Sequence, residues 1–123
     1  MKKTNEKQVE DKLKAWSKAI RDGDLEAVMQ MHTNDVIMFD VLPPFQITGK
    51  KALKKNWDIF FEHSKGGNGS FNLSKVKIKA ANELSLATAA LKVGSIKVRL
   101  TVGLVKENGE WMICHEHHSV LER

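Results

Sequence analysis

Residues 21–36 read Arg-Asp-Gly-Asp-Leu-Glu-Ala-Val-Met-Gln-Met-His-Thr-Asn-Asp-Val, and this block predicts a helix end, a short helix and the approach to a strand. Gly23 is expected to end the first helix, because glycine readily adopts the left-handed conformation of a C-cap. Asp24 is a good N-cap for a second helix that runs to about His32. The β-branched and aromatic side chains of residues 36–40 then predict a strand.

Amphipathic helices are predicted on both sides of this block. On the N-terminal side one apolar stripe recurs at spacings of four, three and four residues: Val9, Leu13, Trp16 and Ile20. This spacing places the side chains on one face of a helix. Residues 1–7 are polar and are expected to be flexible. On the C-terminal side Gly49 precedes a third helix over residues 50–63, and a glycine-rich loop over residues 64–70 follows it.

The chain after Phe71 predicts antiparallel sheet. Four strands are expected, over residues 71–81, 84–93, 96–106 and 111–120. Asn108 and Gly109 between the last two strands are a strong signal for a two-residue hairpin turn. Helices followed by a run of hairpins indicate an α+β fold, with three N-terminal helices packed on a strongly curved, mainly antiparallel sheet.

Composition limits the classes of protein to consider. A length of 123 residues fits a single domain, and 41% hydrophobic with 28% charged residues is an ordinary globular composition. The net charge of +5 comes from scattered lysines without interleaved aromatic residues, so we expect no nucleic-acid partner. No apolar run could span a bilayer, and the polar start does not resemble a signal peptide. The single Cys114 excludes an intrachain disulfide and favours a cytoplasmic location.

The order of elements, together with the Gly-Asp-Leu-Glu-Ala block at residues 23–27, resembles the cystatin-like α+β cone. Nuclear transport factor two, ketosteroid isomerase and the SnoaL polyketide cyclases share this fold, and the resemblance covers about residues 8–121. The chain is most similar to a SnoaL-like branch whose last strand carries His-x-His-x-Ser, here at residues 115–119. The hub domain of a calmodulin-dependent kinase ends in a similar way. The resemblance therefore implies either a small enzyme or an assembly domain.

Asp40 is the first candidate catalytic residue. It closes an apolar strand, where loss of water disfavours the charged form of a carboxylate that has no obvious partner. Such a group can act as a general base or acid, and the resemblance places the proton-shuttling aspartate of ketosteroid isomerase on it. The isomerase's oxyanion-hole tyrosine and aspartate correspond to positions near Trp16 and Thr101. The alternative is a structural carboxylate that caps the following Pro-Pro turn or pairs with an arginine.

The last two strands supply further candidates. Val98, Leu100, Val102 and Leu104 alternate with the polar or small residues at positions 97, 99, 101 and 103. Simple amphipathicity turns the odd positions to solvent, whereas the resemblance implies that they line the cavity and that a second subunit covers the even positions. In the latter arrangement Cys114, Glu116 and His118 share the cavity with Arg99 and Thr101. A β-bulge near the turn would exchange this set with His115 and His117.

These observations lead to one functional prediction with one alternative. The predicted catalytic residues are Asp40, His118 and Glu116. The predicted ligand-binding residues are Trp16, Phe39, Trp57, Phe61, Arg99, Thr101 and Cys114. A cofactor-free isomerase or cyclase-type enzyme would use them on a small apolar or anionic carbonyl or carboxylate compound. No metal is expected, because His115 and His117 lack a third ligand at matched spacing. The alternative is a non-catalytic binding or oligomerisation domain, and a homodimer through the sheet face is expected with either function.

Overall fold

Helices come first and long strands follow in the structure, a computed structural model that describes the backbone of residues 2–120 and the side chains of residues 4–120. The helices are α1 (Lys2–Asp22), α2 (Leu25–Gln30) and α3 (Lys50–His63). The strands are β1 (His32–Phe39), β2 (Ile47–Thr48), β3 (Asn72–Ala80), β4 (Leu84–Val93), β5 (Ile96–Glu107) and β6 (Glu110–Val120). No helix in residues 2–120 combines the length and the apolar character that crossing a bilayer requires.

The six strands form one sheet in the order β2-β1-β6-β5-β4-β3. All neighbours are antiparallel except β1 and β6, which run parallel. The predicted α+β class, with three helices packed on a mainly antiparallel curved sheet, is confirmed. Strand β1 begins at His32, four residues earlier than predicted, so the C-terminal end of α2 leads almost directly into the middle of the sheet.

The turn signals in the sequence form the predicted local structures. Gly23 has a φ of 71°, and the side chain of Asp24 accepts a hydrogen bond from the backbone N–H of Ala27 at 3.1 Å. Asn108 and Gly109 have φ values of 53° and 81°, as a two-residue hairpin of the primed type requires. The cap and the turn are therefore local properties of the sequence.

Residues 2–7, which we expected to be flexible, belong to helix α1 in the structure. The side chain of Asn5 is buried and accepts a hydrogen bond from Lys106 Nζ at 2.9 Å. Lys12 forms an ion pair with Glu110 at 2.9 Å. These contacts attach the N-terminal half of the helix to the β5–β6 hairpin, which a local reading of the polar sequence could not anticipate.

The even positions of β5 face the chain's own helices. Val98, Leu100, Val102 and Leu104 are buried in the same core as Trp16 of α1 and Leu53 of α3. The expectation that a second subunit covers these residues is therefore corrected. Simple amphipathicity decides the orientation, since it leaves the charged side chains of the strand in water.

A β-bulge in β6 reverses the inward and outward alternation along that strand. Gly103 pairs with His115, and the next residue of β5 pairs with Ile113, so Cys114 has no partner of its own. Before the bulge Ile113 points into the core, and after it Glu116 and His118 do. The β-bulge considered in the sequence analysis is therefore present. It places Glu116 and His118 on the same face of the sheet as Leu100 and Val102, which is the inner face.

The facing of β5 can be tested with two neighbouring substitutions. Leu100→Ala removes buried side-chain volume and should lower the free energy of unfolding by about 2–5 kcal/mol. Arg99→Ala removes an exposed side chain and should change it by less than about 0.5 kcal/mol. Urea unfolding followed by tryptophan fluorescence measures both. Equal losses in the two variants would contradict the orientation.

Candidate active site

A cavity of about 390 Å³ opens between helix α3 and the inner face of the sheet. Its volume lies in the range of small-molecule sites. Most of its wall is apolar: Met38, Val41, Leu42, Trp57, Ile59, Phe60, Phe71, Leu91, Val93, Ile96, Val98 and Val120. The polar side chains on the wall are Asp40, Asn56, His63 and His118. A few polar groups on an apolar wall can orient a mainly apolar guest.

Asp40 lies at the lip of this cavity and is half-buried. Its Oδ2 accepts a hydrogen bond from Asn56 Nδ2 at 2.6 Å, and its Oδ1 accepts one from the backbone N–H of Val41 at 2.7 Å. The absence of a partner that we inferred from the sequence is thus corrected, because Asn56 comes from a helix sixteen residues away. The bond to Val41 fits the alternative role as a turn cap. The bond to Asn56 fixes the direction of the carboxylate at the cavity lip.

His118 stands beside Asp40 on the same wall. In the parallel pair of β1 and β6, Phe39 is level with His117, and Asp40 and His118 are the next residue in each chain. Neighbouring strands lie about 4.8 Å apart, so the two residues are adjacent at the end of this pair. Both line the cavity. The strand order therefore brings together two proton-exchanging groups that are 78 positions apart in the sequence.

Glu116 lies behind His118 and is fully buried between two imidazole rings. Its Oε1 accepts a hydrogen bond from His118 Nε2 at 2.8 Å, and its Oε2 accepts one from His32 Nε2. The Nδ1 of His32 in turn donates to the carbonyl oxygen of Val28 at 2.7 Å. Both carboxylate oxygens are therefore paired, as the burial of a charge requires. We refer to His32, Glu116 and His118 as the buried triad.

The buried triad holds Glu116 in its charged form. Burial by itself raises the pKa of this carboxyl group, but the charge of His32, the hydrogen bonds from His118 and His32 and, as the smallest contribution, the charge of His118 outweigh it and lower the pKa to about 2. His118 is therefore anchored by an ionised carboxylate through Nε2. The other ring nitrogen, Nδ1, is left for a molecule in the cavity.

The predicted aromatic ligand contacts occupy different places. Trp57 lines the cavity, and its indole N–H is buried without a hydrogen-bond partner among residues 4–120. Trp16 is fully buried behind that wall, 6.4 Å from the ring centroids of both Trp57 and His118. Phe61 packs against Trp57 at 6.0 Å and lies outside the cavity lining. Phe39 lies on the outer face of the sheet, 5.3 Å from the ring of His117. Of these four, Trp57 alone lines the cavity.

Arg99, Thr101 and Cys114 lie on the outer face of the sheet and outside the cavity lining. We predicted that they line the cavity because we assumed that β6 alternates between the two faces of the sheet without a bulge. The extra residue in β6 makes that assumption wrong. Arg99 is exposed, so it offers no buried cation to a ligand. Burial raises the pKa of the Cys114 thiol, and the charge of Asp35 adds to this effect, which keeps the thiol protonated.

Three residues of the site were missed at the sequence level: His32, Asn56 and His63. Asn56 and His63 share a face of α3 with Phe60, at the spacing i, i+4, i+7, and this pattern could have identified them once the helix was placed. His32 gave no such signal, because its partner is 84 residues away. In the part of the chain that the structure describes, no three His, Cys, Asp or Glu side chains form a metal-binding group.

The charge on Glu116 predicts a specific acid sensitivity. Because the pKa of Glu116 falls from 4.5 to about 2 on folding, its ionised form contributes stability above pH 4.5, and this contribution is lost as the pH falls toward 2. Glu116→Gln should lower the free energy of unfolding at pH 7 by on the order of 3 kcal/mol. The difference in the free energy of unfolding between this variant and the unmodified protein should become smaller as the pH falls from 4.5 to about 2. Urea unfolding at several pH values measures it, and the exposed control Glu83→Gln should follow the unmodified protein throughout.

Solved structures of similar shape support this description of the fold. An NTF2-like protein of unknown function from Pseudomonas putida KT2440 superposes with a TM-score of 0.88 at 26% identity, over 100% of this chain and 91% of that one. A proposed dehydratase of the NTF2-like family from Streptomyces avermitilis gives 0.87 at 15% identity, over 100% of each chain. A proposed ketosteroid isomerase from Parabacteroides distasonis ATCC 8503 gives 0.71 at 21% identity, over 85% and 80% of the two chains. At such identities the last two show a shared fold alone.

Sequence comparison defines the family. No curated protein matches the chain. The profile of the SnoaL-like domain matches residues 9–122, which is nearly the whole length. The predicted resemblance to the SnoaL-like branch of the cystatin-like cone is thus confirmed, and this chain belongs to the SnoaL-like domain family.

Proposed function

We propose that this domain is a cofactor-free enzyme that moves a proton on a small apolar carbonyl compound, in an isomerase- or cyclase-type reaction. The observation that carries this proposal is the pairing of Asp40 and His118 on one wall of an otherwise apolar cavity. Two adjacent groups that exchange protons, in a site with little water, are what general acid–base catalysis needs. The dehydratase and isomerase suggested for two proteins of the same fold would also depend on proton transfer.

The side chains suggest a division of roles. Asp40, held by Asn56, takes a proton from the carbon next to the carbonyl, and the electron pair moves onto the carbonyl oxygen to give an enolate. Trp57 lies on the cavity wall, and its indole N–H, buried without a hydrogen-bond partner among residues 4–120, donates to that oxygen once the ring turns toward the cavity. In a β,γ-unsaturated ketone the enolate is conjugated with the carbon–carbon double bond. Return of the proton to the γ-carbon then re-forms the carbonyl group, moves the double bond into conjugation with it and completes an isomerisation. His118 offers Nδ1 as a second proton acceptor, for example for a substrate hydroxyl group.

The cavity wall favours a neutral guest of about two fused rings. At a liquid volume of about 30 Å³ per molecule, 390 Å³ corresponds to about 13 waters, so the cavity has room for such a compound. Among residues 4–120 no lysine or arginine lines the cavity, so within this part of the chain an anion would meet Asp40 without a compensating cation. The mouth is apolar and partly exposed: Leu42 55%, Ile59 49%, Ile96 53% and Val120 46%. A neutral bicyclic ketone fits these constraints better than a carboxylate.

Proton abstraction can be tested with 2-tetralone, a neutral bicyclic ketone, as the probe. The protein should accelerate exchange of the hydrogens next to the carbonyl with deuterium in D₂O, measured by proton NMR. Asp40→Asn should lower the enzymatic rate by about 10²–10⁴-fold, because the amide cannot accept the proton. Its melting temperature should stay unchanged or rise, since a half-buried charge is removed.

The matched control for this experiment is Arg99→Gln, which also removes one charge but lies outside the cavity. It should exchange the probe at the rate of the unmodified protein. Quenching of tryptophan fluorescence by the probe reports binding at Trp57 separately from turnover. Binding without any exchange in the unmodified protein would favour the alternative of a non-catalytic binding domain.

We further propose that a second copy of the chain covers the outer face of the sheet. Leu84 and Leu86 are 60% and 50% exposed on that face, which is unfavourable for apolar side chains of this size. The face is basic on β3, where Lys77 and Lys79 project, and carries Asp35 on β1 toward the other edge. A two-fold axis along the strands would set the basic side of one copy over the acidic side of the other.

The dimer proposal is tested by Leu86→Glu. A buried carboxylate at the interface should convert the dimer to a folded monomer, measured by light scattering after size-exclusion chromatography. Ile59→Glu is the matched control, because Ile59 is 49% exposed but lies on the cavity rim. It should leave the mass unchanged. A monomeric unmodified protein, or an unaltered dimer of Leu86→Glu, would refute the proposal.

A further inference from the structure

His32 is a buried polar side chain with a contact at each ring nitrogen. Its ring is fully buried, and both of its nitrogens face oxygen atoms. Nδ1 lies 2.7 Å from the carbonyl oxygen of Val28, which can only accept, so Nδ1 carries a proton. Nε2 faces the carboxylate of Glu116. With Glu116 ionised, Nε2 must carry a proton as well, and His32 is then an imidazolium.

The number of charges in the buried triad decides the protonation state of His118. Glu116 supplies one negative charge, and both His32 and His118 hydrogen-bond to it. One carboxylate neutralises one imidazolium, and a second buried positive charge would have no counter-charge inside the triad. His32 satisfies two acceptors only when it is doubly protonated, whereas His118 satisfies Glu116 with a single proton on Nε2. The charge therefore resides on His32, and His118 stays neutral.

We propose that His32 is a positioning residue that keeps Nδ1 of His118 unprotonated and ready to accept a proton in the cavity. The inference rests on the proposed function of the cavity and explains why a residue that does not touch the cavity is part of its chemistry. His32 neutralises Glu116 from the side away from the cavity. His118 is then oriented by Glu116 without being forced to carry its counter-charge.

The other charged groups around His118 make this role necessary. Asp40, at the end of β1, lies next to His118 on the cavity wall. Of the side chains that the structure describes, His63 of α3 is the remaining titratable group on the cavity wall, and none on that wall is a lysine or an arginine. The side chains that could oppose protonation of His118 by charge are thus His32 and His63. Of these two, His32 is the one in direct contact with Glu116.

The unmodified protein, without any ligand, provides the first test. Long-range nitrogen-15 to proton NMR at pH 7 distinguishes a doubly protonated imidazole from each neutral tautomer. We expect His32 to show two protonated nitrogens and His118 to show a proton on Nε2 alone. A doubly protonated His118 beside a neutral His32 would overturn the proposal. Because no turnover is involved, this result is independent of the outcome with 2-tetralone.

The second test replaces His32 by a neutral donor. His32→Gln can still donate to Glu116 but cannot be a cation, so His118 should become the imidazolium and show two protonated nitrogens at pH 7. At higher pH His118 should lose the Nδ1 proton, and its spectrum should return to a proton on Nε2 alone. The control is His117→Gln, because His117 lies on the exposed side of β6. It should leave the NMR spectrum of His118 as it is in the unmodified protein.

A merely structural role for His32 would give a different pattern. His32→Gln would then lose stability while His118 kept its neutral tautomer at pH 7. That outcome would refute the inference even if the proposed proton transfer were established with Asp40→Asn. If His32→Gln does not fold, the spectrum of the unmodified protein decides alone.

Discussion

The single unpaired residue in β6, Cys114, determines which side chains reach the interior of the cone. A strand alternates strictly between its two faces, so one extra residue moves every later side chain to the opposite face. Trp111 and Ile113 precede the bulge and fill the core, and Glu116 and His118 follow it and still point inward. Without the bulge the core residues and the buried triad could not both lie on the concave side. The hydrophobic core and the polar site depend on the same irregularity.

The buried triad also joins parts of the chain that are far apart. His32 begins β1 and donates to Val28 in α2, while its other nitrogen contacts Glu116 in the last strand. The C-terminal end of a short helix is thereby attached to the centre of the sheet. A buried carboxylate is unfavourable unless its oxygens are paired, and here both are. Burial of the Glu116 carboxylate is unfavourable in itself, but its hydrogen bond with His118 fixes the orientation of that ring.

The fold alone does not decide what the domain does. A shared fold does not imply a shared function, because function depends on the side chains of the site. In this chain the wall is apolar apart from the carboxylate of Asp40, the amide of Asn56 and two imidazoles. Arg99, which we predicted to bind a ligand, lies outside the cavity. Our proposal of proton transfer on an apolar guest rests on these side chains.

The sequence by itself determined the class of fold, the three helices, the Asn108–Gly109 hairpin and the position of Asp40 at the end of an inner strand. These features depend on hydrophobic periodicity, caps and turn residues, which act over a few residues and can be recognised locally. The tertiary structure alone decided the inward position of Glu116 and His118, the outward position of Arg99 and Thr101, and the contacts of His32 and Asn56. The reason is physical: a bulge has no local signature in this strand, and a hydrogen bond across 84 residues depends on the order of strands in the sheet.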